Sequence, residues 1–186
     1  MFIQSEKDLE SYICENVEEF KEFLGNNAFE DCYEKIEFIG RQVNVNGNFI
    51  DLLFLGINEL PSEVSPFKEK SHELTFIVVE LKYREVEPKD LAQISKYMNI
   101  LDLFVPENLV DQEANCDFMP TRGALLGTDI RDDTREIQMC MEEERVKFAT
   151  LSVKLNFNVA NYSYMDEFAR GVDFDDRISE LKLNTK

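Results

Sequence analysis

At 186 residues, with 44% hydrophobic and 31% charged residues, the chain matches a globular protein of one domain and excludes disordered and fibrous classes. No apolar run approaches the ~20 residues of a membrane helix, and the N-terminus MFIQSEKDLE has acids where a secretory signal would be apolar, which points to the cytoplasm. A net charge of −18 argues against non-specific coating of nucleic acid, whose affinity comes from Lys and Arg neutralising phosphates.

Residues 5–24 place Leu9, Ile13, Val17, Phe20 and Leu24 at helical spacing behind a Ser5 N-cap, so an amphipathic helix is predicted, broken by Gly-Asn-Asn at 25–27. YEKIEFIGRQVNV (33–45) alternates as a strand. Asn46-Gly47 supplies the positive φ values of a hairpin turn, and FIDLLFL (49–55) is the returning strand. The polar stretch 56–72, with two prolines, reads as a loop or irregular hairpin insertion that leaves its flanking strands paired, and His72 as a loop residue.

ELTFIVVELKYR (73–84) contains the continuous apolar run of a central strand buried on both faces. Residues 85–104 form a helix with Pro88 in its first turn and an apolar stripe through Leu91, Ile94, Tyr97, Met98 and Leu101. A loop over 105–120, a strand at 122–128, a helix at 132–145 that starts with acids, and one long or two short strands over 146–159 complete the pattern. The order α-β-β-β-α-β-α-β predicts an α/β fold, a mixed central sheet with helices on both faces. Residues 1–165 are read as the domain and 166–186 as an acidic tail, helical or disordered. Cys14, Cys32, Cys116 and Cys140 lie far apart without a CxxC or Cys/His cluster, so reduced thiols are expected rather than zinc.

One constellation carries chemistry. Asp51 sits mid-strand among apolar neighbours, and Glu80-Leu81-Lys82 ends the most buried strand, with Glu80 and Lys82 on one face. Such charges are costly to bury unless they pair or hold a metal, and carboxylates from adjacent strands suit Mg²⁺. On spacing alone, a strand-end salt bridge fits equally well. Lys89, Gln93 and Tyr97 recur at i, i+4, i+8 on the following helix, a polar stripe facing either the same site or solvent. Charge is uneven: residues 1–36 hold ten acids and three bases, but 77–100 hold four of each.

Read in order, G-x-x-I-D-L-L-F-L, I-V-V-E-L-K-Y and D-L-A-Q-I-S-K-Y-M resemble the PD-(D/E)xK nuclease superfamily, particularly the RecB-like nuclease domain of mismatch-type endonucleases. R-G-A-L-L-G-T, a helix and V-K-F-A-T-L are similar to that family's closing strand-helix-strand, so the resemblance spans roughly 5–157. It implies a restriction-endonuclease-like core with a further helix and strand, and a Mg²⁺-dependent (or Mn²⁺-dependent) nuclease acting on DNA, with RNA as the alternative substrate. By that likeness Asp51, Glu80 and the Leu81 carbonyl are metal ligands and Lys82 positions or activates the water. Gln93 is an active-site helix residue, and a first-helix glutamate, Glu10 with Glu6 as its rival, approaches the site. Lys82, Arg84, Lys89 and Lys96 are expected to make the few phosphate contacts, with Tyr97 beside them. The separate N-terminal DNA-binding and dimerisation domain of the mismatch-type enzymes has no counterpart in these residues, so their substrate does not carry over; a protein partner or homodimer stays open. The acidity supports a rival of another class, a catalytically silent nuclease fold serving as a DNA mimic.

Overall fold

The computed structural model describes residues 3–30, 32–60, 71–108, 116–140 and 145–150. Its elements are α1 (Glu6–Glu15), α2 (Val17–Phe23), a π-helical turn (Leu24–Ala28), β1 (Lys35–Val45), β2 (Asn48–Leu60), β3 (Ser71–Leu81), α3 (Pro88–Asn108), β4 (Cys116–Gly127), α4 (Asp132–Cys140) and β5 (Val146–Thr150). The expected acidic tail, 166–186, lies outside the described residues.

The sheet has five strands in the order β1-β2-β3-β4-β5. β1, β2 and β3 pair antiparallel; β3, β4 and β5 pair parallel. The parallel steps are crossed by α3 and α4, as parallel pairing requires. This is the mixed α/β architecture expected from the order of elements.

Alternation along the central strands feeds two cores. Leu52, Phe54, Ile77, Val79, Leu81, Ala124 and Leu126 pack with Leu9 and Ile13 of α1, while Leu53, Leu55, Val78, Leu125 and Val146 pack with Leu91, Ile94, Met98 and Leu101 of α3. Each such buried side chain contributes about 1.5–3 kcal/mol, and together they fix one helical layer on each face of the sheet. Gly123 brings α3 close: a Cβ there would stand 2.8 Å from side-chain atoms of Ile94 and Met98.

Several boundaries depart from the sequence pattern. The single helix over 5–24 is two, because the Asn16 side chain donates 2.8 Å to the Tyr12 carbonyl and its backbone leaves the helical region. Gly25-Asn26-Asn27 widens into the π-helical turn instead of ending the helix. β2 and β3 extend into the polar 56–72 segment, and His72 is a strand residue opposite Glu59 and Cys116, not a loop residue. β4 starts at Cys116, within the expected 105–120 loop, because parallel pairing with β3 supplies its backbone partners. Among the described residues no helix is long and apolar enough to cross a membrane.

Candidate active site

The β1–β2 turn sets the geometry of the site. Asn46 and Gly47 both have positive φ, 50° and 77°, the combination a two-residue hairpin turn needs, and Val45 pairs with Asn48. The register then runs Asn44↔Phe49, Val43↔Ile50 and Arg41↔Leu52, so Gln42 falls opposite Asp51. On the other side β2 pairs with β3 down to Leu52↔Val79, so Asp51 and Glu80 are the next residues on their strands where that ladder ends. Gln42 and Asp51 therefore share a row, with Glu80 one residue past the end of the β2–β3 ladder. Beyond Val79 the Asp51 carboxylate takes over from the ladder: its Oδ2 accepts the Leu81 N–H at 3.0 Å.

Both strands of the hairpin change face at this row. Arg41 reaches the α1 side, 3.8 Å from Glu10 Oε1, whereas Val43 lies in the α3-side core. Ile50 likewise packs on the α3 side and Leu52 on the α1 side. Residues two apart in a regular strand share a face, and the reversal passes through Gln42, whose φ of 47° is left-handed. Glu10 of α1 uses the opening. Gln42 Nε2 donates to Glu10 Oε2 at 2.5 Å and to Asp51 Oδ1 at 3.1 Å.

Glu80 is wholly buried. Its Oε2 accepts from Lys82 Nζ at 3.1 Å, and its Oε1 has no hydrogen-bond partner. Burial, then the negative charge of Asp51, pushes the Glu80 carboxyl up to about 8, against the opposing pull of Lys82 and of the Asp51 backbone N–H, whose approach falls short of a well-formed hydrogen bond. Asp51 is raised by burial, with the Leu81 N–H, Lys82 and Gln42 acting the other way. Glu10 is also raised by burial, moderated by Gln42. At Lys82 burial works to lower the pKa, but Glu80 and Asp51 outweigh it and the ammonium is held above its ordinary value. Lys82 is thus a fixed cation at neutral pH.

An unsatisfied buried oxygen beside a second carboxylate fits a hard dication, which takes oxygen ligands. Among the described residues no group of three or more His, Cys, Asp or Glu side chains forms a metal cage, so Asp51 and Glu80 would be completed by backbone oxygen and water, in keeping with the waters Mg²⁺ retains.

The remaining expected residues divide. Leu81 reaches the site through its N–H. Gln93 donates to the Tyr97 hydroxyl at 3.0 Å, and the Tyr97 pKa is raised by burial and by the charges of Glu80 and Asp51, so the pair lies within electrostatic reach of the carboxylates. Glu10 is buried and tied to Asp51 through Gln42, while Glu6 accepts the Tyr83 N–H at 3.4 Å. Arg84 forks onto Asp90 at 2.7 and 2.8 Å, Lys89 pairs with Glu87 at 2.6 Å, and Lys96 donates to Asn48 at 2.8 Å. Asp90 also accepts the Glu87 N–H at 2.9 Å, so Arg84 and Asp90 together fasten the start of α3. Gln42 is the site residue that pattern reading missed, although the Asn46-Gly47 turn alone places it opposite Asp51.

No family model and no curated protein matches the chain. Among solved structures it is similar to a repair endonuclease from Pyrococcus abyssi (18% identity, TM-score 0.47, covering 81% of this chain and 48% of that one). It is also similar to EndoMS in apo form (21%, 0.42, 81% and 48%) and to an EndoMS–dsDNA complex (15%, 0.43, 81% and 47%). The chain spans about half the length of these structures.

Proposed function

We propose that this chain is a metal-dependent nuclease that hydrolyses phosphodiester bonds in DNA at a site of the PD-(D/E)xK type. The observation that carries the reading is the wholly buried Glu80, one oxygen on Lys82 and the other without a well-formed hydrogen bond, beside the negative charge of Asp51. A purely structural ion pair would satisfy both oxygens, because an unpaired buried acceptor is expensive.

In this reading Asp51 and Glu80 hold Mg²⁺ or Mn²⁺, with the Leu81 carbonyl as a further ligand. A bound dication would neutralise charge on the scissile phosphate and lower the pKa of an attacking water. The chain's own part is placement. Lys82, held as a cation by Glu80 and Asp51, presents ammonium protons to the nucleophile or the developing oxyanion. Gln93, steadied by Tyr97, orients water or a nucleotide from α3. Lys89 and Lys96 are exposed beside the balanced 77–100 segment and serve as phosphate contacts, which carry no choice of sequence or sugar. RNA is therefore the alternative substrate.

The net charge of −18 favours a second reading, a silent nuclease fold that mimics DNA toward a basic protein. The deciding experiment incubates the protein with single-stranded, duplex, branched and mismatched DNA and with RNA, in Mg²⁺, Mn²⁺ or EDTA. Cleavage of at least one DNA with metal, none in EDTA, and none by Glu80→Gln is the expected result. No cleavage of any nucleic acid with either metal would overturn the proposal.

A further inference from the structure

We infer that Gln42 is a positioning residue: its side-chain amide clamps Glu10 of α1 to Asp51 of β2 and so sets the spacing of the acidic groups at the site. The inference deepens the nuclease reading and rests on it for the purpose of the clamp, but the clamp itself is a matter of geometry.

Three independent observations converge on Gln42. Its Nε2 is the shared donor of two hydrogen bonds, to Glu10 and to Asp51, joining an element of the helical layer to a strand of the sheet. Carboxylates only accept, so the amide must turn its NH₂ toward both; the reverse orientation would set a carbonyl oxygen against two acids. Its backbone is left-handed, φ 47°, in a strand. That conformation is unfavourable for a residue with a Cβ, and glycine would adopt it freely. Finally, the facing of β1 and of β2 reverses in its row, which admits Glu10 from the α1 side to the Asp51 carboxylate.

A residue kept only for the backbone bend would be better as glycine. What Gln adds is the amide at the end of a side chain long enough to reach both acids. Of the charged groups around it, Arg41 approaches Glu10 from the same strand at 3.8 Å, beyond hydrogen-bonding distance. Gln42 therefore supplies a short, directed contact.

The test uses Gln42→Gly, which relieves the bend and deletes the amide, together with Glu10→Gln and the double variant. Mn²⁺ affinity by calorimetry should fall about tenfold in Gln42→Gly, the scale of losing hydrogen bonds to charged groups. Without metal, Glu10→Gln should be at least about fivefold more favourable to folding in the Gln42→Gly background than in the parent, because there it removes a buried acid that has lost its donor. Parent-like Mn²⁺ affinity in Gln42→Gly, or additivity in the metal-free cycle, overturns the inference. A parent that binds no Mn²⁺ and cuts nothing overturns the nuclease reading instead, and the cycle then decides on the clamp alone.

Discussion

Lys82 donates to one oxygen of Glu80 at 3.1 Å, and the other, buried, has no well-formed hydrogen bond. The two residues should consequently fail in different ways. Asp51→Ala and Glu80→Ala should each remove Mn²⁺ binding measured by calorimetry with the fold kept, since each deletes an oxygen ligand and relieves carboxylate repulsion. Lys82→Ala should abolish cleavage and retain Mn²⁺ binding, because an ammonium is no ligand for a dication. Unchanged binding in both acid variants would reject the site; loss of binding in Lys82→Ala would reject the role given to the lysine.

Metal-free stability should fall as pH rises between about 4.5 and about 8. The Glu80 carboxyl titrates near 4.5 ordinarily and near 8 when folded, so in this window the folded chain binds more protons than the unfolded one and ionisation favours unfolding. The fall should level off above the folded value, shrink with saturating Mn²⁺, and be smaller in Glu80→Gln, where the raised Asp51 and Glu10 carboxyls remain. Urea midpoints at pH ~5 and ~8.5 for both proteins provide the check. A parent whose difference between the two pH values equals that of the Gln variant would place the Glu80 pKa in the ordinary range.

Gln93→Ala should reduce cleavage far more than stability, because Gln93 is half-buried and spends its amide on the Tyr97 hydroxyl, not in the core. A stability loss of ~2–5 kcal/mol, the scale of a buried truncation, would make it a packing residue.

Arg84→Ala should lower stability by roughly 1–2 kcal/mol, an estimate reduced for the 38% exposure of the Arg84 side chain. Asp90 is only 1% exposed and would lose its forked partner at the start of α3. Thermal melts decide this, and DNA affinity measured on the same variant tests the phosphate contact expected from sequence. A variant with parent stability but weaker DNA binding would return Arg84 to the substrate surface.

DNA binding should be weak, should appear with Ca²⁺ rather than EDTA, and should decline with salt through the few available cations. A DNA mimic would ignore nucleic acid under both conditions and bind a basic partner, at a rate that collapses in high salt.

The parts of the fold that show in the sequence are those whose own side chains report their surroundings. FIVV at 76–79 marks the doubly buried β3, the stripe from Leu91 to Leu101 marks α3, and Asn46-Gly47 marks the hairpin. Asp51, Glu80 and Lys82 stand out because charge interrupts apolar runs. The polar ends of β2, β3 and β4 do not show, since Glu59, His72 and Cys116 are held extended by neighbouring strands rather than by their own preference. Gln42 is hidden for another reason: a left-handed glutamine has no compositional mark, and its partner Glu10 lies 32 positions away in the chain.

Among the described residues β1 is the outermost strand on its side of the sheet, and the outward backbone groups of an eleven-residue edge strand would ordinarily offer a template on which further copies could stack. Its pairing register shifts between Phe38 and Gly40, and its facing reverses at Gln42. Each break twists the outer rim, leaving only short regular stretches for a neighbouring strand to match. The bend that admits Glu10 to the carboxylates thereby also guards the protein against edge-to-edge aggregation.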